Sequence, residues 1–295
     1  MRSPSLYTVL IAGLTVSLCR WVVAAEPIGR VTFAESGIAI IRQTTFYSVA
    51  VGTAVQDGDI VETGHGGIQI EFSPTTLLSV APRSRVLVLM KNRPSSGCGL
   101  LVYGLGGMIK FAQTSAVART RICVQMAQIR STLTLGSAIQ RFDGSAVSVF
   151  AEKGDLSVQD IGPTGKSHSP LKVPAEQFAE WRSGQALTVL ERPTPQFFRA
   201  VPASFQDELT PMADRLRDVR SEPVAQRDVS YSDIADWLKG MPRRAEFVRQ
   251  FQPRLRDPEF RRQIDAELGK SAPWGSILHP PPPPDATQPA HGPAP

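Results

Sequence analysis

Apolar positions recur along this chain with two different periods, and the change between them divides it. From Ile28 to about Leu190, runs of β-branched or apolar residues are cut by Gly, Pro, Asn, Asp or Ser. The pattern predicts strands at Gly29–Phe33, Ile38–Arg42, Tyr47–Val51, Ile60–Glu62, Ile68–Phe72, Leu77–Val80, Val86–Met90, Leu100–Tyr103, Met108–Phe111, Arg121–Val124, Ala127–Ile129, Ala138–Phe142, Ala146–Ala151, Asp155–Gln159 and Ala186–Leu190. Strands at this close spacing predict a mainly β fold, either a double-sheet β-sandwich or a flattened β-solenoid, in place of alternating βα units. In Ile68-Gln69-Ile70-Glu71-Phe72 the strict alternation predicts one wet face, whereas Arg85-Val86-Leu87-Val88-Leu89 is apolar on both faces and reads as central. Asp57-Gly58, Phe142-Asp143-Gly144-Ser145 and Glu152-Lys153-Gly154-Asp155 read as tight hairpins.

Near Pro193 the period lengthens. Ser204 reads as the cap of a helix carrying Phe205, Leu209, Met212 and Leu216, with Pro211 as a kink. Ser230 with Asp233 caps a helix of Ile234, Trp237 and Leu238 that Gly240 can end. Pro242 opens a third bearing Phe247, Val248 and Phe251. Asp257-Pro258-Glu259 opens a fourth with Phe260, Ile264 and Leu268, stopped by Gly269. From His279 the chain is Pro-rich, with five consecutive prolines, and reads as an extended disordered tail. The expected organisation is a leader (1–25), a β domain (26–192), a helical extension (193–278) and the tail (279–295).

Composition sharpens this. The 295 residues suffice for one large or two modest domains. Arg2, the apolar run Leu6–Leu18 and the exit Val23-Ala24-Ala25 read as a secretory signal, so the expected mature chain begins near Glu26, in the periplasm or outside the cell, with no stable membrane anchor. Removing Arg2 and Arg20 lowers the formal charge from +5 to +3, too weak and dispersed for a nucleic-acid partner. Between Arg199 and Lys270, 14 basic residues face 13 acidic ones, which is a solvated surface and not a basic patch. Export leaves Cys98 and Cys123 as the only mature cysteines, and either a disulfide or two buried thiols fits them.

Candidate chemistry is sparse. Asp57, Asp59, Glu62 and His65 form the densest polar cluster, but they lack a calcium-loop pattern and a second histidine, so turn chemistry accounts for them and no metal is expected. His65, His168, His279 and His291 are scattered, with no Gly-x-Ser-x-Gly elbow. Gly104-Leu105-Gly106-Gly107 precedes a strand, where a phosphate loop needs a helix N-terminus. No catalytic residue and no cofactor is expected.

With those residues in view, Val51-Gly52 to Gly64, followed by Ile68–Phe72 and Ala81-Pro82-Arg83-Ser84, resembles the FecR domain, whose usual phrasing is G-x-x-L-x-x-G-D-x-V-x-T-G, a strand, then a Pro-x-Ser strand opening. Ile129-Arg130-Ser131-Thr132 resembles its Arg-Gly-Thr strand, with Ser131 where glycine is customary, and Val147–Val158 resembles its closing hairpin. The resemblance runs from Gly29 to Val189. Tyr231-Ser232-Asp233, Trp237-Leu238, Phe251-Gln252-Pro253-Arg254, Asp257–Arg261 and Pro273-Trp274 are similar to the C-terminal extension of secreted FecR-domain proteins of proteobacteria.

The resemblance implies an envelope sensing or interaction domain. Well-known members relay a signal from an outer-membrane transporter to an extracytoplasmic-function sigma factor, often in iron uptake, through a cytoplasmic anti-sigma segment that is not expected here. It also implies that Gly52, Gly58, Asp59, Thr63 and Gly64 shape the fold. The expected function is non-enzymatic binding of another periplasmic or membrane protein in signalling or regulation. The alternative is a module for cell-wall glycan or surface polysaccharide, with Trp181, Trp237 or Trp274 as stacking platforms.

Overall fold

The computed structural model describes residues 26–90, 97–115, 121–162, 168–240 and 244–280, with the side chains of 244 and 245 set aside. The leader, most of the Pro-rich tail and Pro242 therefore lie outside the described residues.

The chain lays strands alternately into two facing ladders. They are β1 (Pro27–Ala34), β2 (Ile38–Arg42), β3 (Thr45–Ser48), β4 (Ala54–Gln56), β5 (Ile60–Thr63), β6 (Ile68–Ser73), β7 (Thr76–Val80), β8 (Arg85–Met90) and β9 (Leu100–Gln113). Then come β10 (Ile122–Met126), β11 (Ile129–Leu133), β12 (Gly136–Phe142), β13 (Ala146–Lys153), β14 (Leu156–Asp160), β15 (Leu171–Val173), β16 (Phe178–Arg182), β17 (Thr188–Leu190) and β18 (Val224–Asp228). Pairings give sheet A as β4-β1-β6-β7-β9-β12-β13-β16-β17. Sheet B runs β18-β3-β2-β5-β8-β9-β10-β11-β14-β15. All pairs are antiparallel except β9 with β10. Among the described residues, the two ladders are one curled sheet of 18 strands because β9 belongs to both. The fold is mainly β, with short helices at the C-terminal side.

Strand β9 corrects the expectation of two strands. Leu100–Gly106 pairs in sheet B and Gly107–Gln113 in sheet A, so a single strand crosses between layers. Gly107 makes the bend possible: its φ is +94°, and a Cβ there would lie 2.0 Å from Ser84 Oγ and 2.6 Å from Ser84 Cα.

Two expected hairpins are instead corners between sheets. Asp57-Gly58 joins β4, paired with β1, to β5, paired with β2 and β8. Gly154-Asp155 joins β13 of sheet A to β14 of sheet B. A hairpin and a corner need the same positive-φ glycine, here Gly58 (+86°) and Gly154 (+71°), so turn chemistry reveals the reversal and not the destination. The turn at Asp143-Gly144 is a true hairpin, in which Asp143 Oδ1 accepts from the N–H of Ser145 and Ala146. Ala127 is a turn residue with φ +48°, and the strand expected at Ala127–Ile129 starts later, as β11. Strands β4, β15, β16 and β18 were not anticipated by the apolar pattern.

Between the sheets lies one apolar core, including Val31, Ile40, Val61, Ile70, Leu78, Val88, Val102, Phe111, Val124, Val149 and Val158, all fully buried. The outer face of sheet B is covered as well. Ile41, Ile60, Leu87, Leu89, Leu101 and Tyr103 receive the apolar sides of four helices: α2 (Tyr231–Gly240), α3 (Arg244–Phe251), α4 (Pro258–Leu268) and α5 (Trp274–Leu278). That second cover is why Arg85–Leu89 is apolar on both faces. The helix ends follow the expected caps. Ser230 donates to Asp233 through both its N–H and its hydroxyl, and Asp257 Oδ1 accepts from the N–H of Glu259 and Phe260.

The helix expected from Ser204 does not form. After α1 (Pro195–Ala200) and one 3-10 turn at Ala203–Phe205, the chain runs as an irregular strap over sheet A. Lys110 Nζ donates to the carbonyls of Phe205 (2.7 Å) and Asp207 (2.8 Å), and Gln69 Nε2 to that of Thr210 (3.0 Å). Glu71 Oε2 accepts from the N–H of Met212 (2.8 Å) and Ala213 (2.9 Å), and Arg30 Nη1 donates to Leu216 O (3.3 Å). Backbone groups that a helix would pair internally are thus paired with the sheet, and Pro211 removes a helical donor. The strap also dries the face of β6 expected to be wet: Glu71 is 4% exposed.

Candidate interaction surface

The residues of the Val51–Gly64 motif sit at corners and are tied up there. Asp59 is buried and accepts from Arg42 Nε (2.9 Å), Arg42 Nη2 (2.7 Å) and the Gln56 N–H (2.8 Å). Burial pushes its carboxyl above the ordinary aspartate value, against the pull of Arg42. Thr63 Oγ1 donates to Ala81 O (2.7 Å) and accepts from the Ser84 N–H (2.8 Å), locking two corners together. Gly64 N–H bonds Gly37 O, and a Cβ on Gly64 would lie 3.0 Å from the same oxygen. Gly52, at φ +93°, runs beneath the strap, where a Cβ would lie 2.7 Å from Val219 O.

The acidic cluster does not converge. Asp59 faces Arg42, Glu62 faces Arg85 at 2.9 Å, and Asp57 Oδ1 accepts from the Met90 N–H. Burial raises the Glu62 pKa while Arg85 opposes it. Among the described residues, no three His, Cys, Asp or Glu side chains meet as a metal site would require.

Cys98 and Cys123 are bonded, with Cα atoms 5.7 Å apart. The bridge ties the start of β9 to β10 beneath the helical layer. Trp181, Trp237 and Trp274 are 6, 0 and 2% exposed, so none presents a ring face for a sugar and the glycan reading loses its platforms.

Among the described residues, what the fold leaves open is one end of the sandwich. Sheet A stops at β17 and sheet B at β15, and the short corner from Val173 to Phe178 places those edges side by side. All three residues of β17 are exposed, and Val189 (37%), Leu190 (40%) and Leu171 (39%) present apolar side chains there. Phe198 of α1, 55% exposed, extends the patch by standing edge-on to Phe150, 6.1 Å between ring centres. The opposite end is blunted. Edge strand β18 carries Gln226, Arg227 and Asp228, with Arg227 stacked 4.4 Å over Phe46 and paired with Asp233. Beside β4 the chain is bridged to the strap through Thr53 and Ser221.

Of this open end only Ala186–Leu190 was read as a strand from the sequence. Phe178-Ala179-Glu180-Trp181 between Pro174 and Gly184 is the signal that marks β16, and hence the edge beside it.

Among the described residues, no helix is long and apolar enough to cross a membrane. No family model and no curated protein matches the chain. Among solved structures it is similar to two crystal structures, each of an inferred anti-sigma factor from Parabacteroides distasonis ATCC 8503. At 1.65 Å resolution the match has 12% identity, covers 54% of this chain and 72% of that one, and has a TM-score of 0.38. At 2.50 Å the figures are 13%, 54%, 71% and 0.39.

Proposed function

We propose that this chain is an exported, non-enzymatic protein with a FecR-type β domain that binds another envelope protein in signalling or regulation. The carrying observation is that β15 and β17 end their sheets with no further strand among the described residues, flanked by the exposed apolar side chains of Leu171, Val189, Leu190 and Phe198. A free edge offers unpaired N–H and C=O groups to an added strand, and neighbouring apolar side chains give that strand something to bury. The reading as a binder and not a catalyst is supported by the fate of the acidic groups, since Asp59 and Glu62 are each neutralised by an arginine. It is supported further by the motif residues, of which Gly52, Asp59, Thr63 and Gly64 meet groups of the chain's own fold.

The test is mild cross-linking in envelope extract, followed by recovery of the full chain and its attached proteins. Wild type recovers a specific envelope protein, and a Leu171→Lys/Leu190→Lys variant with unchanged melting temperature loses it. Equal recovery by both, or no specific protein with wild type, refutes the proposal.

A further inference from the structure

A cavity of about 510 Å³ opens where the strap crosses β1 and β6, at the end of sheet A remote from β17. Its size lies within the roughly 300–1,000 Å³ usual for small-molecule sites. Half-buried Ile28 and Phe72 supply an apolar wall. Phe72 lies so close over Gly29 that a Cβ on Gly29 would lie 2.9 Å from its ring.

The charged lining is unequal. Three arginines, Arg30, Arg217 and Arg220, are among the residues that line the cavity. A guanidinium has five N–H donors. Arg30 engages one nitrogen with Leu216 O, Arg217 engages Nε with Asp214 O at 3.1 Å, and Arg220 has no hydrogen bond or ion pair among the described contacts. Of the two acids bordering the same space, Glu71 already accepts from the N–H of Met212 and Ala213, and Asp214 is exposed on the strap. Beside another cavity, by contrast, Lys153 pairs with Glu208.

We propose that this cavity binds a small organic oxyanion, a carboxylate or phosphate carried on an aromatic or aliphatic body. The arginine donors take the anionic group in the bidentate manner that suits carboxylate and phosphate alike, and the body rests on Phe72 and Ile28. One wall belongs to the sheet and the other to residues 213–220 of the strap, so an occupant pins the strap to β1 and stabilises the folded chain by mass action. The site lies apart from the β15 and β17 edges and stands or falls independently of the partner proposed there.

The experiment is calorimetric titration of the full chain at low ionic strength with benzoate, phenyl phosphate, inorganic phosphate and benzylamine. Benzoate or phenyl phosphate is expected to bind saturably, and benzylamine not to bind. Whichever anion binds tighter assigns the headgroup. Arg220→Gln, which removes no hydrogen bond or ion pair found among the described residues, is expected to weaken the tighter anion about tenfold or more, as is Arg30→Gln. Arg199→Gln, remote on α1, serves as the charge-matched control and leaves affinity unchanged. Absence of saturable binding by every anion overturns the proposal. So does binding that Arg220→Gln leaves intact, binding that Arg199→Gln weakens equally, or benzylamine binding as well as benzoate; saturation by inorganic phosphate alone, untouched by Arg220→Gln, is an adventitious ion only and overturns it too.

Discussion

Lys110→Met is the most informative single change, because Lys110 decides whether residues 203–217 form a strap. Its side chain is 2% exposed and donates to Glu152 Oε1 at 2.9 Å and to the Phe205 and Asp207 carbonyls. Hydrogen bonds to a charged donor each contribute about 1.5 kcal/mol at the lower end of their range, which gives about 4.5 kcal/mol for three. Methionine fills the same volume and recovers about 1.5 kcal/mol of apolar burial on the sheet. The expected loss is therefore about 3 kcal/mol, near the lower end for breaking a buried pair from one side. Glu152, at 19% exposure, can turn toward water and supports the lower value. Urea unfolding followed by fluorescence of buried Trp181, Trp237 and Trp274 reads the loss. Limited trypsin digestion at Arg215, Arg217 and Arg220 reads release of the strap. A loss below about 1 kcal/mol, with cleavage as slow as in wild type, would refute the claim that this lysine anchors it.

Other consequences follow from the same geometry. Gly107→Ala places a Cβ against Ser84 at positive φ and is expected to cost at least about 3 kcal/mol, whereas Gly58→Ala, also at positive φ but facing open space, costs about 1 kcal/mol; thermal melts compare them. Replacing Cys98 and Cys123 by alanine frees a loop with a sequence separation of 25 and lowers stability by about 3.5 kcal/mol on the chain-entropy account, read by urea unfolding. Asp233 titrates at about 2 in the folded chain, held below the ordinary 3.8 by Arg227 and Ser230 against the opposing effect of burial. Its folded value is depressed, so its contribution is present above pH 3.8 and is lost as pH falls toward 2. Asp233→Asn should therefore lose about 1–2 kcal/mol at pH 7, after allowance for solvent screening, and the gap to wild type should narrow between about pH 4 and 2.

Much of the architecture is legible in one dimension because its causes are local. Period-two apolar runs mark most strands, Asp-Gly and Gly-rich steps mark the reversals, and Ser230 and Asp257 mark helix starts through bonds reaching only two or three residues ahead. The motif residues Gly52, Asp59, Thr63 and Gly64 stand out as a pattern in the sequence, but their partners Val219, Arg42, Ala81, Ser84 and Gly37 are distant in it. Strand β15 escapes because only Leu171-Lys172-Val173 carries it, too few residues for a period to show. The Ser204 segment misleads because its spacing is helical while its backbone partners are Lys110, Gln69 and Glu71, distant in sequence.

The sequence by itself therefore determined that this is a β protein with a short helical appendage, and where most of the chain's reversals fall. Tertiary structure alone decided which ladder each strand joins, that β9 bridges both, that Trp181, Trp237 and Trp274 face inward, and that one end of the sandwich stays open among the described residues. The physical reason is range: a turn or cap is settled by neighbours a few residues apart, whereas edges, cavities and buried charges arise only when distant segments compete for the same surface.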